Sequence, residues 1–160
     1  MGKFNYDQND FEKVKREAEE FYSKIGEVWC PYFKENIAFN AKGIRHLKFK
    51  SDERARLEKD QYARLKLLHY VPDVIKNSRT VQGIDKRRDF EKEKNNGEWR
   101  YAMKDIVFFE FIAVMANVRI KIIVKEVFGG EKHFWSVIPF WKIDKENGKR
   151  ILCGSDTLED

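Results

Sequence analysis

Hydrophobic positions in the first half of the chain recur at intervals of three or four residues, which is the spacing of one face of an α-helix. Residues 10–25 follow this pattern between charged side chains, and Gly26 comes directly after them. We therefore expect a helix over 10–25. The same spacing predicts a helix over 51–69, with Ser51 as its N-cap. Proline can occupy the first turn of a helix, so a short helix is predicted over 72–76.

The second half of the chain is richer in aromatic and β-branched residues, and it predicts strands. The expected strands cover 98–103, 106–115, 118–128 and 132–143. Turns are expected at the pairs Ala116-Asn117, Gly129-Gly130 and Asn147-Gly148, with a short strand over 150–153 after the last of them.

Three further segments complete the predicted organisation. Residues 79–84 are expected to form a strand, and the highly charged stretch 85–97 a mobile loop. The apolar run 28–33 contains Pro31, which favours an edge strand or an irregular segment. Helices followed by an antiparallel meander predict an α+β fold, in which N-terminal helices pack on a four- to five-stranded antiparallel β-sheet.

Strand alternation predicts which side chains share a face of the sheet. A loop of two or four residues at Gly129-Gly130 places Ile123 opposite Ser136, and a two-residue loop at Ala116-Asn117 places Ile123 opposite Glu110. Trp135 and Val137 are then expected on the core side. The opposite face gathers one set of polar side chains: Glu110, Arg119, Lys121, Lys125 and Ser136. Such a face is either a solvated surface with cross-strand ion pairs or a phosphate-binding and catalytic surface.

The chain has 160 residues, the usual size of one domain. Lys and Arg outnumber Asp and Glu by 32 to 27, which permits a nucleic-acid partner without requiring one. Two cysteines without a CxxC pair and three histidines predict no zinc site, and neither a metal nor another cofactor is expected. No signal-peptide pattern or membrane-length apolar run is present in the sequence, so a reduced cytoplasmic setting without membrane association is expected.

His46 is the most informative candidate, because histidine exchanges protons near neutral pH. It lies in the segment Ile37-Ala-Phe-Asn-Ala-Lys-Gly-Ile-Arg-His46-Leu-Lys48, and the passage Leu68-His-Tyr-Val-Pro72-Asp-Val-Ile75-Lys-Asn77 follows. Together with the strands after Glu98, these segments resemble the phage-associated Barnase–EndoU–colicin–RelE-like (BECR) nucleases. Members of that family begin with a glycine–histidine element and end with an antiparallel catalytic sheet.

The resemblance implies a BECR-like nuclease domain over 28–153, preceded by a helical extension over 1–27 and followed by a flexible tail over 154–160. It implies metal-independent endoribonuclease activity, toxin-like in some members, on tRNA or mRNA, and an immunity or antitoxin protein as a partner. The family's histidine corresponds to His46 and its late serine or threonine to Ser136. The second histidine that many members carry is absent here, where Lys48 follows.

A mechanism follows from these correspondences. RNA cleavage without a metal uses the 2′-hydroxyl as the nucleophile, so a base, an acid and cations are needed. His46 is the predicted acid or base, Glu110 its opposite partner, and Lys121 and Ser136 complete the catalytic set. The residues expected to bind RNA are Arg45, Lys48, Arg119, Lys125 and Tyr101, the last as a stacking platform.

Two other classes of function remain open from the sequence. The same basic face would suit a non-catalytic nucleic-acid-binding module, which predicts salt-sensitive binding without cleavage. A phage-encoded interaction or inhibitor protein would instead use the charged stretch 85–97 for recognition.

Overall fold

A computed structural model describes residues 6–139, 141–143 and 150–152, with side chains up to residue 139. The turn expected at Asn147-Gly148, Cys153 and the expected tail from Gly154 lie outside the described residues. The helices are α1 (Phe11–Ser23), α2 (Ala41–Lys48), α3 (Glu58–Leu67) and α4 (Val71–Asn77). The strands are β1 (Glu27–Cys30), β2 (Glu35–Ala38), β3 (Gly83–Asn95), β4 (Glu98–Met115), β5 (Val118–Val127), β6 (Lys132–Pro139), β7 (Trp141–Ile143) and β8 (Arg150–Leu152).

The α+β class predicted from the sequence is confirmed, but the sheet is larger and mixed. Six strands lie in the order β1-β2-β6-β5-β4-β3, while β7 and β8 pair separately. All pairs in the large sheet are antiparallel except β2 and β6, which are parallel and meet at Ala38 and His133. The expectation of four to five antiparallel strands was wrong because β1 and β2 have only four residues each, too few for a clear alternating pattern.

The predicted helix over 51–69 was wrong at its beginning. Helix α3 begins at Glu58, and Ser51 lies in a tight connection between α2 and α3 rather than at a helix cap. Helix α2 lies before this connection and outside the predicted helices. Its N-cap Asn40 accepts a hydrogen bond from the backbone N–H of Lys42 at 3.1 Å. The connection turns back on itself through a bridge between Phe49 and Ala55.

One hydrophobic core lies between the helices and one face of the sheet. Helix α1 contributes Phe11, Val14, Ala18 and Tyr22 to it, and the sheet contributes Phe111, Ile120, Ile122, Val124, Phe134 and Val137. The N-terminal helix therefore belongs to the same core as the rest of the chain. A small second cluster lies on the other face of the sheet and consists of Ile106, Phe108, Ile123 and Trp135.

The charged stretch 85–97 is not a loop, contrary to the prediction. It continues β3 and pairs with β4 in an unbroken antiparallel register from Gly83–Glu110 to Asn95–Glu98. Strand β5 pairs with β4 only from Ile106 onward, so residues 88–95 and 98–105 form a two-stranded extension, here called the ribbon. The strand predicted over 98–103 is part of β4. Its partner over 88–95 was not predicted because neither face of the ribbon enters the core, which removes the apolar alternation that marks a strand.

The register predicted between β4, β5 and β6 is confirmed: Glu110 pairs with Ile123, and Ile123 pairs with Ser136. The register shifts between Ile123 and Val124, since Val124 pairs with Phe134 and not with Trp135. Such a β-bulge inserts one residue and reorients its side chain. Trp135 was expected in the main core, but the bulge places it in the second cluster on the opposite face.

Candidate active site beside His46

Helix α2 lies unusually close to β6, and this closeness brings His46 to the sheet. Gly43 makes the approach possible, because a Cβ atom there would lie 2.5 Å from the carbonyl oxygen of Phe134. One turn later along α2, the imidazole of His46 stacks on the indole of Trp135, with ring centroids 3.9 Å apart. His46 is only 3% exposed, and Trp135, which the bulge turns toward it, covers one face of its ring.

Arg56 fixes both the position and the tautomer of this imidazole. Its Nε donates to the backbone carbonyl of His46 at 2.9 Å, and its terminal nitrogen lies 3.0 Å from Nε2 of the same residue. A guanidinium can only donate hydrogen bonds, so Nε2 must accept. The proton of the neutral ring is therefore on Nδ1.

The surroundings of His46 disfavour a positively charged ring. Burial, followed by the positive charges of Arg56, Arg64 and Lys125, lowers the pKa of His46 to about 2. Both desolvation and neighbouring cations act in this direction for a base. The imidazole is therefore neutral at physiological pH, with its acceptor nitrogen already bonded.

Arg64 of α3 holds Ser136 in a similar way. Its guanidinium donates to the hydroxyl of Ser136 at 2.8 Å and to the carboxylate of Asp60 at 2.9 Å. Asp60 also lies 3.5 Å from Arg56, so one carboxylate serves both guanidiniums. Ser136 is fully buried, and it is a support for Arg64 rather than an accessible hydroxyl.

A pocket of about 170 Å³ opens beside His46. Its lining residues are Lys42, Arg45, His46, Phe49, Lys50, Ser51, Glu53, Glu91, Lys125 and Trp135. Four of these side chains are cations and two are carboxylates. The positive excess, with Arg56 and Arg64 behind the imidazole, makes the pocket suited to an anionic group.

Lys125 and Glu91 form an ion pair inside this pocket. The ammonium of Lys125 lies 4.1 Å from the ring centroid of Trp135, and its side chain is 4% exposed. Burial lowers the pKa of Lys125, although the adjacent carboxylate of Glu91 opposes the shift. The pocket thus holds an ammonium that releases its proton more readily than an exposed lysine, in contact with the carboxylate of Glu91.

Two buried nitrogen atoms near Lys125 have no hydrogen-bond partner within the described part of the chain: Nε1 of Trp135 and Nε2 of His133. Burial and the charges of Lys125 and Lys42 lower the pKa of His133 to about 4. Because Trp135 lines the pocket, its indole N–H is a donor that a ligand oxygen could satisfy.

The structure brings only part of the predicted site together. His46, Arg45 and Lys125 line one pocket. Glu110 instead lies 3.7 Å from Lys121, which is fully buried on β5, and neither lines the pocket. Lys48 forms an ion pair with Glu19 of α1 at 2.8 Å.

The two remaining predicted RNA-binding residues also lie away from this pocket. Arg119 is half-buried at the start of β5, opposite Val114. Tyr101 is on the ribbon and is 70% exposed. Neither residue contributes to the lining of the pocket.

Sequence reasoning missed one residue of the pocket and two residues behind it, each for a structural reason. Glu91 was assigned to a loop, whereas the ribbon carries it to Lys125. Arg56 and Arg64 lay within one long predicted helix, where nothing indicated that Arg56 would contact His46 or that Arg64 would contact Ser136. Two arginines eight residues apart form no sequence pattern that distinguishes buried side chains from exposed ones.

Within the residues described, no helix is long and apolar enough to cross a membrane. Nor do those residues contain a group of three or more His, Cys, Asp or Glu side chains arranged to hold a metal ion.

Comparisons of the whole chain with protein-family models, with curated proteins and with solved structures all gave no match. We therefore infer the function from the geometry of the pocket itself.

Proposed function

We propose that the protein is a metal-independent endoribonuclease that binds the scissile phosphate in the pocket beside His46. The observation that carries this proposal is the Glu91–Lys125 pair within a pocket lined by additional cations. Transesterification at a 2′-hydroxyl needs one group that accepts a proton and another that donates one. The carboxylate can act as the acceptor and the ammonium as the donor.

In the proposed reaction, the carboxylate of Glu91 accepts the proton of the 2′-hydroxyl as the 2′-oxygen forms a bond to phosphorus. The bond from phosphorus to the 5′-oxygen breaks, and Lys125 gives its proton to that leaving oxygen. The products are a 2′,3′-cyclic phosphate and a free 5′-hydroxyl. Proton transfer from Glu91 to Lys125 across their contact then restores both groups.

The other residues of the pocket act by charge and by hydrogen bonding. Arg45 and Lys42 would bind the phosphate oxygens, whose negative charge grows in the transition state. His46, neutral and protonated on Nδ1, would act as a hydrogen-bond donor and not as the base, as neutral imidazoles do in some active sites. Arg56 would orient that imidazole without contacting RNA.

The test is cleavage of total RNA in EDTA by the purified wild-type protein and by Glu91→Gln. We expect the variant to cleave roughly 10²–10⁴-fold more slowly, the usual cost of losing one acid or base. Glu93→Gln is the matched control, because Glu93 lies on the same face of the ribbon and pairs with Arg100 and Lys104, away from the pocket. Equal rates for the wild type and Glu91→Gln would contradict the mechanism.

A second candidate is a nucleic-acid-binding module without catalysis, and one observation favours it. The acceptor nitrogen of His46 is occupied by Arg56 and its pKa is about 2, so the residue on which the family resemblance depends is unsuited to proton transfer. This candidate predicts that RNA binds to the wild-type protein with strong salt dependence and remains intact.

A further inference from the structure

The ribbon has an exposed aromatic face that lies outside the candidate active site. Cross-strand partners on this face include Phe90 with Met103, Lys92 with Tyr101 and Lys94 with Trp99. The exposed fractions are 62% for Phe90, 63% for Trp99 and 70% for Tyr101. Three exposed aromatic side chains on one side of a two-stranded ribbon are unusual for a solvated surface, and they indicate a binding surface.

The two faces of the ribbon differ in charge. Strand alternation places Arg88, Lys92 and Lys94 on the aromatic face with a single carboxylate, Asp105, which lies 3.9 Å from Arg88. The opposite face carries four carboxylates and two cations: Asp89, Glu91, Glu93, Glu98, Arg100 and Lys104. The aromatic face is therefore the positively charged one, and it favours an anionic partner.

Cations and rings are interleaved on this face. The ammonium of Lys92 lies 5.3 Å from the ring centroid of Trp99, and Tyr101 is the cross-strand partner of Lys92. Trp99 and Tyr101 are two residues apart on β4, so their side chains lie on the same face, about 6.8 Å apart along the strand. The two rings therefore offer separate stacking surfaces to two bases.

We infer that the aromatic face of the ribbon binds single-stranded nucleic acid, with bases on Trp99 and Tyr101 and phosphates near Lys92 and Lys94. A second copy of the chain is a poorer partner, because it would bring the same positive charge to this face. Stacking on exposed rings combined with a cationic track is the general mode of single-strand binding. Binding at this face does not depend on the proposed cleavage reaction.

The test uses a fluorescent 12-nucleotide 2′-O-methyl RNA of mixed sequence, which lacks the free 2′-hydroxyl needed for cleavage. Fluorescence anisotropy would give its Kd for the wild type, Tyr101→Ala and Trp99→Ala. Each substitution should raise the Kd roughly 5- to 150-fold, the measured range for loss of one stacked base. Phe128→Ala is the matched control, since Phe128 is an aromatic residue 74% exposed beyond β5, and it should bind like the wild type.

The salt dependence gives an independent measurement. The double substitution Lys92→Gln and Lys94→Gln should reduce the slope of log K against log salt by about 1.4, for two phosphate contacts with a single strand. Unchanged Kd in both aromatic variants, or an unchanged slope in the lysine variant, overturns the inference. Binding of this probe is measured without cleavage, so failure of the nuclease proposal and failure of the ribbon inference give different results.

Discussion

At the scale of single residues, the central feature is a histidine kept neutral by its neighbours. Trp135 covers one face of His46, and the guanidinium of Arg56 occupies Nε2. The sequence could nominate His46 because of its position in a glycine–histidine element. Its protonation state could not be predicted, because it depends on two arginines that the connection after α2 and helix α3 bring to the same place.

This burial makes the stability of the fold depend on pH. The pKa of His46 is about 2 and that of His133 about 4 when folded, against 6.5 for an ordinary histidine. The unfolded chain therefore binds more protons below pH 6.5, and the free energy of unfolding must fall as the pH falls. The expected slope is up to about 1.4 kcal/mol per pH unit for each of the two histidines.

Urea unfolding between pH 7 and pH 5 would measure this slope. His46→Gln should lower it by up to about 1.4 kcal/mol per pH unit, since that titration is removed. His133→Gln should lower the slope in the same way, because burial also lowers the pKa of His133. The same slope in His46→Gln and the wild type would show that His46 does not titrate on unfolding.

At the scale of secondary-structure elements, the site depends on how closely α2 approaches β6. Gly43 is the point of contact, where a Cβ atom would also lie 2.5 Å from the hydroxyl oxygen of Tyr22. Tyr22 donates that hydroxyl to the carbonyl of Asn40, the N-cap of α2. The start of the helix is thus fixed between α1 and β6.

Gly43→Ala should destabilise the protein even though alanine is the better helix former. Overpacking at a closed contact costs about 1–3 kcal/mol, which exceeds the gain of about 1 kcal/mol in helix propensity if the contact cannot relax. The measurement is the free energy of unfolding in urea. Lys42→Ala, at the exposed neighbouring position, should stay close to the wild type, and a more stable Gly43→Ala would contradict the close approach.

The strands show where sequence patterns succeed and where they fail. Alternation in β5 was strong enough to predict that Glu110, Ile123 and Ser136 would lie in one row across the sheet. The bulge after Ile123 could not be anticipated, because no glycine or proline marks it. Because of this inserted residue, Trp135 lies against the imidazole of His46 and not in the main core, where it was predicted. There it forms one wall of the pocket.

At the scale of the whole molecule, the pocket is assembled from segments far apart in the chain. Helix α2 supplies His46, β5 supplies Lys125, and the ribbon supplies Glu91. The ribbon is otherwise peripheral, since neither hydrophobic cluster contains a residue between 88 and 105. The hydrophobic core therefore holds α2 and β5 in place without residues of the ribbon. The ribbon adds the carboxylate of Glu91 and an aromatic face.

Removing the ribbon should consequently leave a folded protein without its proposed functions. Arg88 and Asp105 are cross-strand partners, so residues 89–104 can be replaced by Asn-Gly, a favoured two-residue hairpin turn. We expect cooperative thermal unfolding with a Tm changed by only a few degrees. A change of about 1 kcal/mol in the free energy of unfolding shifts Tm by roughly 2–4 °C in chains of this size. RNA cleavage and affinity for the 2′-O-methyl probe should both fall to the level of the respective point variants. Loss of cooperative unfolding would contradict this prediction and would show that the ribbon contributes to the folding core.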